Sequence, residues 1–198
     1  MKTASRILGS AFFHEGFEVQ DAPRYGAERR GAPIFAYVRA SRKAINERGI
    51  IQHPDLVTVA DDSLVPIPAA GVLQGLDAHT TMLINSHTAA EVWQHRLNLN
   101  GLVLVLSARE EAVDRADLPF VGTVCAGAAA RLVGVISRSA LTGAIQDELG
   151  SLGPQLVDKN TETALQAYDL MEAHAGSVTE GTESSASDYA KPDWVTMM

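Results

Sequence analysis

The densest run of chemically able side chains is RYGAERRGAP, residues 24–33, which sets Arg24, Arg29 and Arg30 among Gly26, Gly31 and Pro33. Between Arg24 and Arg48 seven basic residues stand against only Glu28 and Glu47. That is a local charge of +5 in a chain of −8, and it leaves −13 on the remainder. A nucleic-acid partner calls for a broad basic face. A small cationic island in an acidic protein fits a compact anionic ligand better, such as a phosphate-bearing cofactor. The other reading of the same arginines is ion pairing, with acidic residues of this chain or with a partner's surface. Composition alone leaves both open.

Other reactive types are sparse. His14, His53, His79, His87, His95 and His174 show no HxH or HxxxH spacing and read as surface or capping residues, so no metal site is expected. Asp61 and Asp62 close an apolar run, a place where ligands collect in open α/β sheets and where a carboxylate pair can hold magnesium or move a proton. Paired aspartates at such a point more often cap the next helix or begin a turn. Asn85 and Ser86 end a later run in the same way and read as turn formers before ligand donors. Cys125 is the only cysteine, which excludes an internal disulfide, a CxxC pair and an iron–sulfur cluster held by this chain alone. Set among alanines, it reads as an inert buried thiol. No catalytic residue is assigned.

The elements that must position these residues alternate. Apolar Ala4, Ile7, Leu8, Ala11 and Phe12 recur at helical spacing, predicting a helix from Thr3 to His14 with Gly16 as its stop. FEVQD and PIFAYVRA, on either side of the basic loop, read as strands. PDLVTVADDSL, TTMLINS and GLVLVLS are short apolar runs closed by small polar residues and separated by helix-length segments. That pattern predicts an α/β fold, a three-layer sandwich around a mostly parallel sheet covered on both faces. Phe120–Val135 is apolar nearly all round and carries only Arg131, so it should be a buried helix. Gly122, Cys125, Gly127 and three alanines would allow close backbone approach to the sheet or to another subunit. Ser139–Leu149 and Asp158–His174 complete the helices.

With 198 residues and 46% hydrophobic content, the chain can bury a full core. The expected organisation is one domain over 1–175, a flexible acidic linker over 176–188 and a docking arm over 189–198 that returns Tyr189, Trp194 and Val195. Trp194 is expected to enter a pocket of a partner subunit. No uncharged apolar run approaches the roughly 18 residues a membrane span needs. A soluble, cytoplasmic protein is the expectation.

At TASRILGSAFFHEGFEVQDAPRYGAERRGAPIFAYVRAS, PDLVTVADDSL and GTVCAGAAARLVG, the chain resembles the gamma subunit, or gamma domain, of the pyruvate:ferredoxin oxidoreductase family of 2-oxoacid:acceptor oxidoreductases. RYGAERRGAP matches that family's FGPERRGAP type of signature with Ala27 in place of the usual proline. The similarity runs from Thr3 to about Met171. One departure concerns the start. The family's first strand and a GRGGQG-type turn would precede the helix at Thr3, and the sequence opens at Met1, so both are expected to be missing from the fold and the true start to lie upstream.

The resemblance implies an enzyme subunit that is inactive alone. It would belong to a complex of anaerobic metabolism that oxidatively decarboxylates a 2-oxoacid, pyruvate or another, and releases an acyl-coenzyme A. Thiamine diphosphate, magnesium and the iron–sulfur clusters would sit in thiamine-binding alpha and beta subunits and a ferredoxin-like delta subunit. This chain would hold no cofactor alone and would help enclose coenzyme A at the interface. Under that implication Arg29 and Arg30, with Arg24 third, would take the cofactor's phosphates, guanidinium groups being bidentate and permanently charged. Gly26 and Gly31 would let the backbone approach closely. The alternative is a purely structural assembly subunit whose basic loop only docks on its partners.

Overall fold

The computed structural model describes residues 2–24, 35–107, 121–181 and 190–196. Helix α1 (Lys2–His14) buries Ala4, Ile7 and Ala11, the stripe its spacing predicts. Its last turn is closed by Arg42, whose Nη1 donates to Glu15 O at 2.9 Å while the guanidinium lies 3.7 Å from the centre of the Phe17 ring. A cation on the last carbonyls complements the negative end of the helix.

Strands β1 (Glu18–Arg24) and β2 (Phe35–Ser41) pair with each other, antiparallel, from Glu18 opposite Ser41 to Arg24 opposite Phe35. They form a hairpin apart from the parallel sheet. Among the described residues three strands make that sheet, in the order β3 (Leu56–Val59), β4 (Thr81–Asn85), β5 (Val103–Leu106), all parallel. The central strand has Thr81, Met82, Leu83 and Ile84 all buried, because both of its faces are covered. Alternation sorts its side chains: Met82 and Ile84 join Trp93 and Leu97 of α2 (Ala90–Leu97) on one face. Leu83, with Leu104 and Leu106 of β5, meets Val124, Cys125, Ala128 and Leu132 of α3 (Val121–Val133) on the other. The expected three layers are present.

Helix α3 is the buried helix of the expectation: nine of its 13 residues are buried. Its small residues serve contacts within the chain. A Cβ on Gly127 would fall 2.1 Å from Ala164 O and 2.7 Å from Ala164 C, so the backbones of α3 and α5 (Pro154–Leu170) touch there. One turn on, Arg131 Nη1 donates to Tyr168 Oη at 3.1 Å, with the same 37-residue offset, so α3 and α5 run parallel. The apolar spacing predicts α5 from Asp158; it begins at Pro154, since proline at the first helical position starts a helix. Helix α4 (Arg138–Leu149) is capped by Ser137, whose Oγ accepts from Ala140 N at 3.2 Å. Ser137 N and Oγ donate in turn to Glu15 Oε1 at 2.9 and 2.6 Å. Those two bonds hold the Glu15 carboxyl below its ordinary range.

Past Leu170 the chain acts as a strap. Gly176 N and Val178 N donate to Arg131 O and Leu132 O, closing the carboxyl end of α3, where Gly134 takes a left-handed φ of 72°. Gly181 N then reaches Asp55 Oδ1 at 2.9 Å, just before β3. On the far face the short helix α6 (Asp193–Thr196) seats Val195, 4% exposed, in the α2 cluster, and Trp194 Nε1 donates to Arg96 O at 3.0 Å. Trp194 thus docks on its own chain, against the α2 cluster and Arg96 O, where the expectation had a partner's pocket.

Two outcomes follow. Gly127→Ala should destabilise the fold by about 3 kcal/mol, because the added methyl overlaps a helix backbone that cannot move aside; urea unfolding measures it. Trp194→Ala should cost about 2 kcal/mol in lost burial and one lost hydrogen bond, seen as a lower melting temperature. Its assembly with other chains should be unaltered by size-exclusion chromatography.

Candidate functional site

The strand that leads into the basic segment has a definable course. Phe17 N donates to Phe12 O, and a Cβ on Gly9 would meet Val19 Cγ1 at 3.3 Å and Asp21 Cβ at 3.7 Å, so β1 runs back along α1. Arg24, three residues past Asp21, is the last residue of β1. The start of α1 rests on the start of α3, since a Cβ on Gly122 would lie 3.4 Å from Ala4 N. Val121 and Val124 of α3 share an apolar cluster with Leu106 and Ala60, the carboxyl ends of β5 and β3. The N-termini of α1 and α3 and the strand ends thus lie together, and β1 runs back along α1 toward that end.

Of the expected phosphate-binding residues, Arg29, Arg30, Gly26 and Gly31 lie outside the described residues, as does Pro33. Arg24 is the last residue of β1, paired with Phe35 across the mouth of the hairpin. The rest of the basic island is partly spoken for. Arg39 Nη1 donates to Gln20 Oε1 at 2.8 Å and Gly49 O at 2.9 Å, and its Nε stands 3.7 Å from Glu47. Arg42 closes α1. For these two the pairing reading holds.

The strand ends form a polar shelf. Asp61 caps a turn of 3-10 helix, Asp62–Leu64, accepting from Ser63 N at 3.0 Å and Ser63 Oγ at 2.6 Å. Asp62 Oδ2 accepts from Ser86 Oγ at 2.5 Å, and that oxygen also accepts from Thr88 N and Trp93 Nε1. Asn85 Nδ2 donates to Ala60 O at 3.0 Å, tying β4 to the end of β3. The capping and turn-forming reading is the one these aspartates, Asn85 and Ser86 fulfil. Sequence reasoning missed one pair here: His87 Nδ1 and Ser107 Oγ, both exposed, are 3.1 Å apart. The signal was available, since INSH and VLS end neighbouring strands in register, Asn85 opposite Leu106.

The remaining candidates are structural or quiet. His14 Nε2 meets Asp147 Oδ2 at 2.8 Å between α1 and α4. Among the described residues no three of His, Cys, Asp and Glu gather as metal ligands, and no helix is long and apolar enough to cross a membrane. Cys125 is 1% exposed, and burial pushes its thiol up to about 11. A thiol held that far from ionisation is a poor nucleophile and a poor ligand. It should resist iodoacetamide at pH 8 in the folded protein and react fully in urea, as mass spectrometry would record.

Residues 1–170 match the family model described as pyruvate ferredoxin/flavodoxin oxidoreductase. The chain is 34% identical over 172 residues to the pyruvate/ketoisovalerate oxidoreductases common subunit gamma of Pyrococcus furiosus, covering 86% of this chain and 90% of that one. It is 30% identical over 169 residues to the pyruvate synthase subunit PorC of Thermotoga maritima, covering 85% and 86%. The crystal structure of the pyruvate oxidoreductase subunit PORC from Thermotoga maritima superposes with a TM-score of 0.68 at 28% identity, over 85% of this chain and 88% of that one. A keto/oxoacid ferredoxin oxidoreductase gamma subunit from Geobacter sulfurreducens gives 0.60 at 17% identity, over 86% and 90%, a likeness of fold.

Proposed function

Because this chain belongs to the pyruvate ferredoxin/flavodoxin oxidoreductase family, we propose that it is the gamma subunit of a multi-subunit 2-oxoacid:acceptor oxidoreductase. Its part is to bind the phosphates of coenzyme A at the interface with the thiamine-binding subunits. The observation that supports this reading is the direction of the β1–β2 hairpin. Strand β1 runs back along α1 toward the end of the fold where α1 and α3 begin and the strands finish, and the arginine motif of the sequence starts at its last residue, Arg24. Helix N-termini carry partial positive charge, so that end favours an anion independently of the arginines.

Within the reading, the residues divide the work. Arg29 and Arg30, with Arg24 beside them, pair with phosphate oxygens in two-pronged fashion and keep their charge at any working pH. Gly26 and Gly31 leave room for the backbone to come up to the ligand. Arg39 and Arg42 fix the hairpin to its surroundings and take no part in binding. Coenzyme A, when bound, supplies the thiol that accepts the acyl group. Thiamine diphosphate, magnesium and the clusters are assigned to the alpha, beta and delta subunits. A single thiol kept protonated by burial does not suit a cluster.

In the assembled complex, Arg29→Ala and Arg30→Ala should each raise the dissociation constant of coenzyme A by at least about tenfold, the worth of one charge-assisted contact. Size-exclusion chromatography should show the subunits still together. Loss of assembly with no separate loss of affinity would make the loop a scaffold contact, and unchanged affinity in both variants would remove the ligand role.

A further inference from the structure

The second strand of the β1–β2 ribbon carries Phe35, Tyr37 and Val38, yet none of its seven residues is buried. Alternation gives the ribbon two faces. A Cβ on Gly9 would meet Val19 and Asp21, so those two, with their cross-strand partners Ala40 and Val38, face α1. Tyr37 and Arg39 lie on the other face, where Arg39 bonds its cross-strand neighbour Gln20. The two long edges differ. Among the described residues no backbone group beyond the ribbon bonds to either strand. On β1 that open edge is blunted by Pro23, which has no N–H, and by Glu18 and Asp21. Strand β2 has neither a proline nor an acid, and alternate residues turn backbone donors and acceptors outward. A two-stranded ribbon is marginal in water, and a further strand strengthens it.

We propose that the open edge of β2 is where a second copy of this chain docks, β2 against β2 in antiparallel order, as a two-fold contact using the same surface of both chains. The register that overlaps all seven residues puts Val38 on the axis, opposite its own counterpart. Ala36 then faces Ala40 of the second copy, Phe35 faces Ser41, and Tyr37 faces Arg39. Charge selects this occupant. Arg39 is the strand's only charged residue, and the register sets it across from a tyrosine ring in both halves of the contact, never across from itself. The ribbon as a whole balances Glu18 and Asp21 with Arg24 and Arg39, so two copies meet without local repulsion although each chain has a net charge of −8. Two strands are about 10 Å wide and so is a helix, so each α1 covers its own pair of strands and the two helices lie side by side. The four-stranded ribbon ends on both sides at a β1 edge, which closes the assembly at two chains. The contact holds whether or not the chain binds coenzyme A.

The test uses the full chain, alone and in the assembled complex. Light scattering should give the concentrated free chain the mass of two copies. Tyr37→Lys, which sets a lysine across from Arg39 twice, should halve that mass, and Tyr37→Phe should keep it. Val38→Cys reads the register. Facing residues on antiparallel strands have Cβ atoms about 5 Å apart, close enough for a disulfide with slight adjustment. A mild oxidant should therefore link two chains through position 38, while Leu152→Cys, exposed at a distant turn, should stay unlinked under the same treatment. The native Cys125 is buried and adds no background. In the complex Val38→Cys should again join two copies of this chain. A free chain that stays single at every concentration overturns the proposal, as does a dimer that Tyr37→Lys leaves intact and Val38→Cys does not link. A link from position 38 to a different subunit of the complex also overturns it, since β2 would then take another strand.

Discussion

The fold depends on one close contact, the backbone of α3 against the backbone of α5 at Gly127 and Ala164. Two helices meet at this distance only where a residue has no side chain to hold them apart. The contact sets their register, which Arg131 and Tyr168 repeat a turn later, and so makes the two helices parallel. Because α3 also lies on the sheet and against the start of α1, that one register orients the helical layer as a whole. The starts of α1 and α3 are brought to the carboxyl ends of the strands. Their positive partial charges therefore lie together at that end by packing alone.

The basic segment has to be seen against that arrangement. Its charge looks uniform in sequence, but its residues are used in two ways. Arg39 is held by Gln20, Gly49 and Glu47, and Arg42 by Glu15 and Phe17, so both serve the hairpin's attachment to α1. The hairpin runs from there back along α1, toward the start of that helix.

Much of this was legible beforehand, for identifiable reasons. The burial of α3 followed from a run that is apolar on every face, and the strands of the parallel sheet from short apolar runs with polar ends. The capping roles of Asp61 and the quiet state of Cys125 followed from their immediate neighbours. What could not be read depended on distant partners. Nothing local distinguishes Arg39 and Arg42 from the loop arginines, and nothing in INSH or VLS alone says that His87 will meet Ser107 across two strands. Trp194 was legible as a docking residue but not as one that docks at home, because its groove is assembled from α2 and the strand face beneath it. The proposed ligand residues Arg29 and Arg30 were named from a motif and a charge count, and the described residues fix only the hairpin that presents them.

The two ends of the sheet are held in different ways. At the amino end the strap from Gly176 to Gly181 closes the last turn of α3 and ties to Asp55, and its continuation covers α2 on the other face. The family match stops at residue 170, so this closure is built from chain that lies beyond the matched region. At the carboxyl end the strand-end carboxylates are satisfied by Ser63 and Ser86, and His87 and Ser107, both exposed, bond to each other just beyond the strands. The sheet is thus braced by a strap of chain at its amino end and by side-chain bonds between neighbouring strands at its carboxyl end.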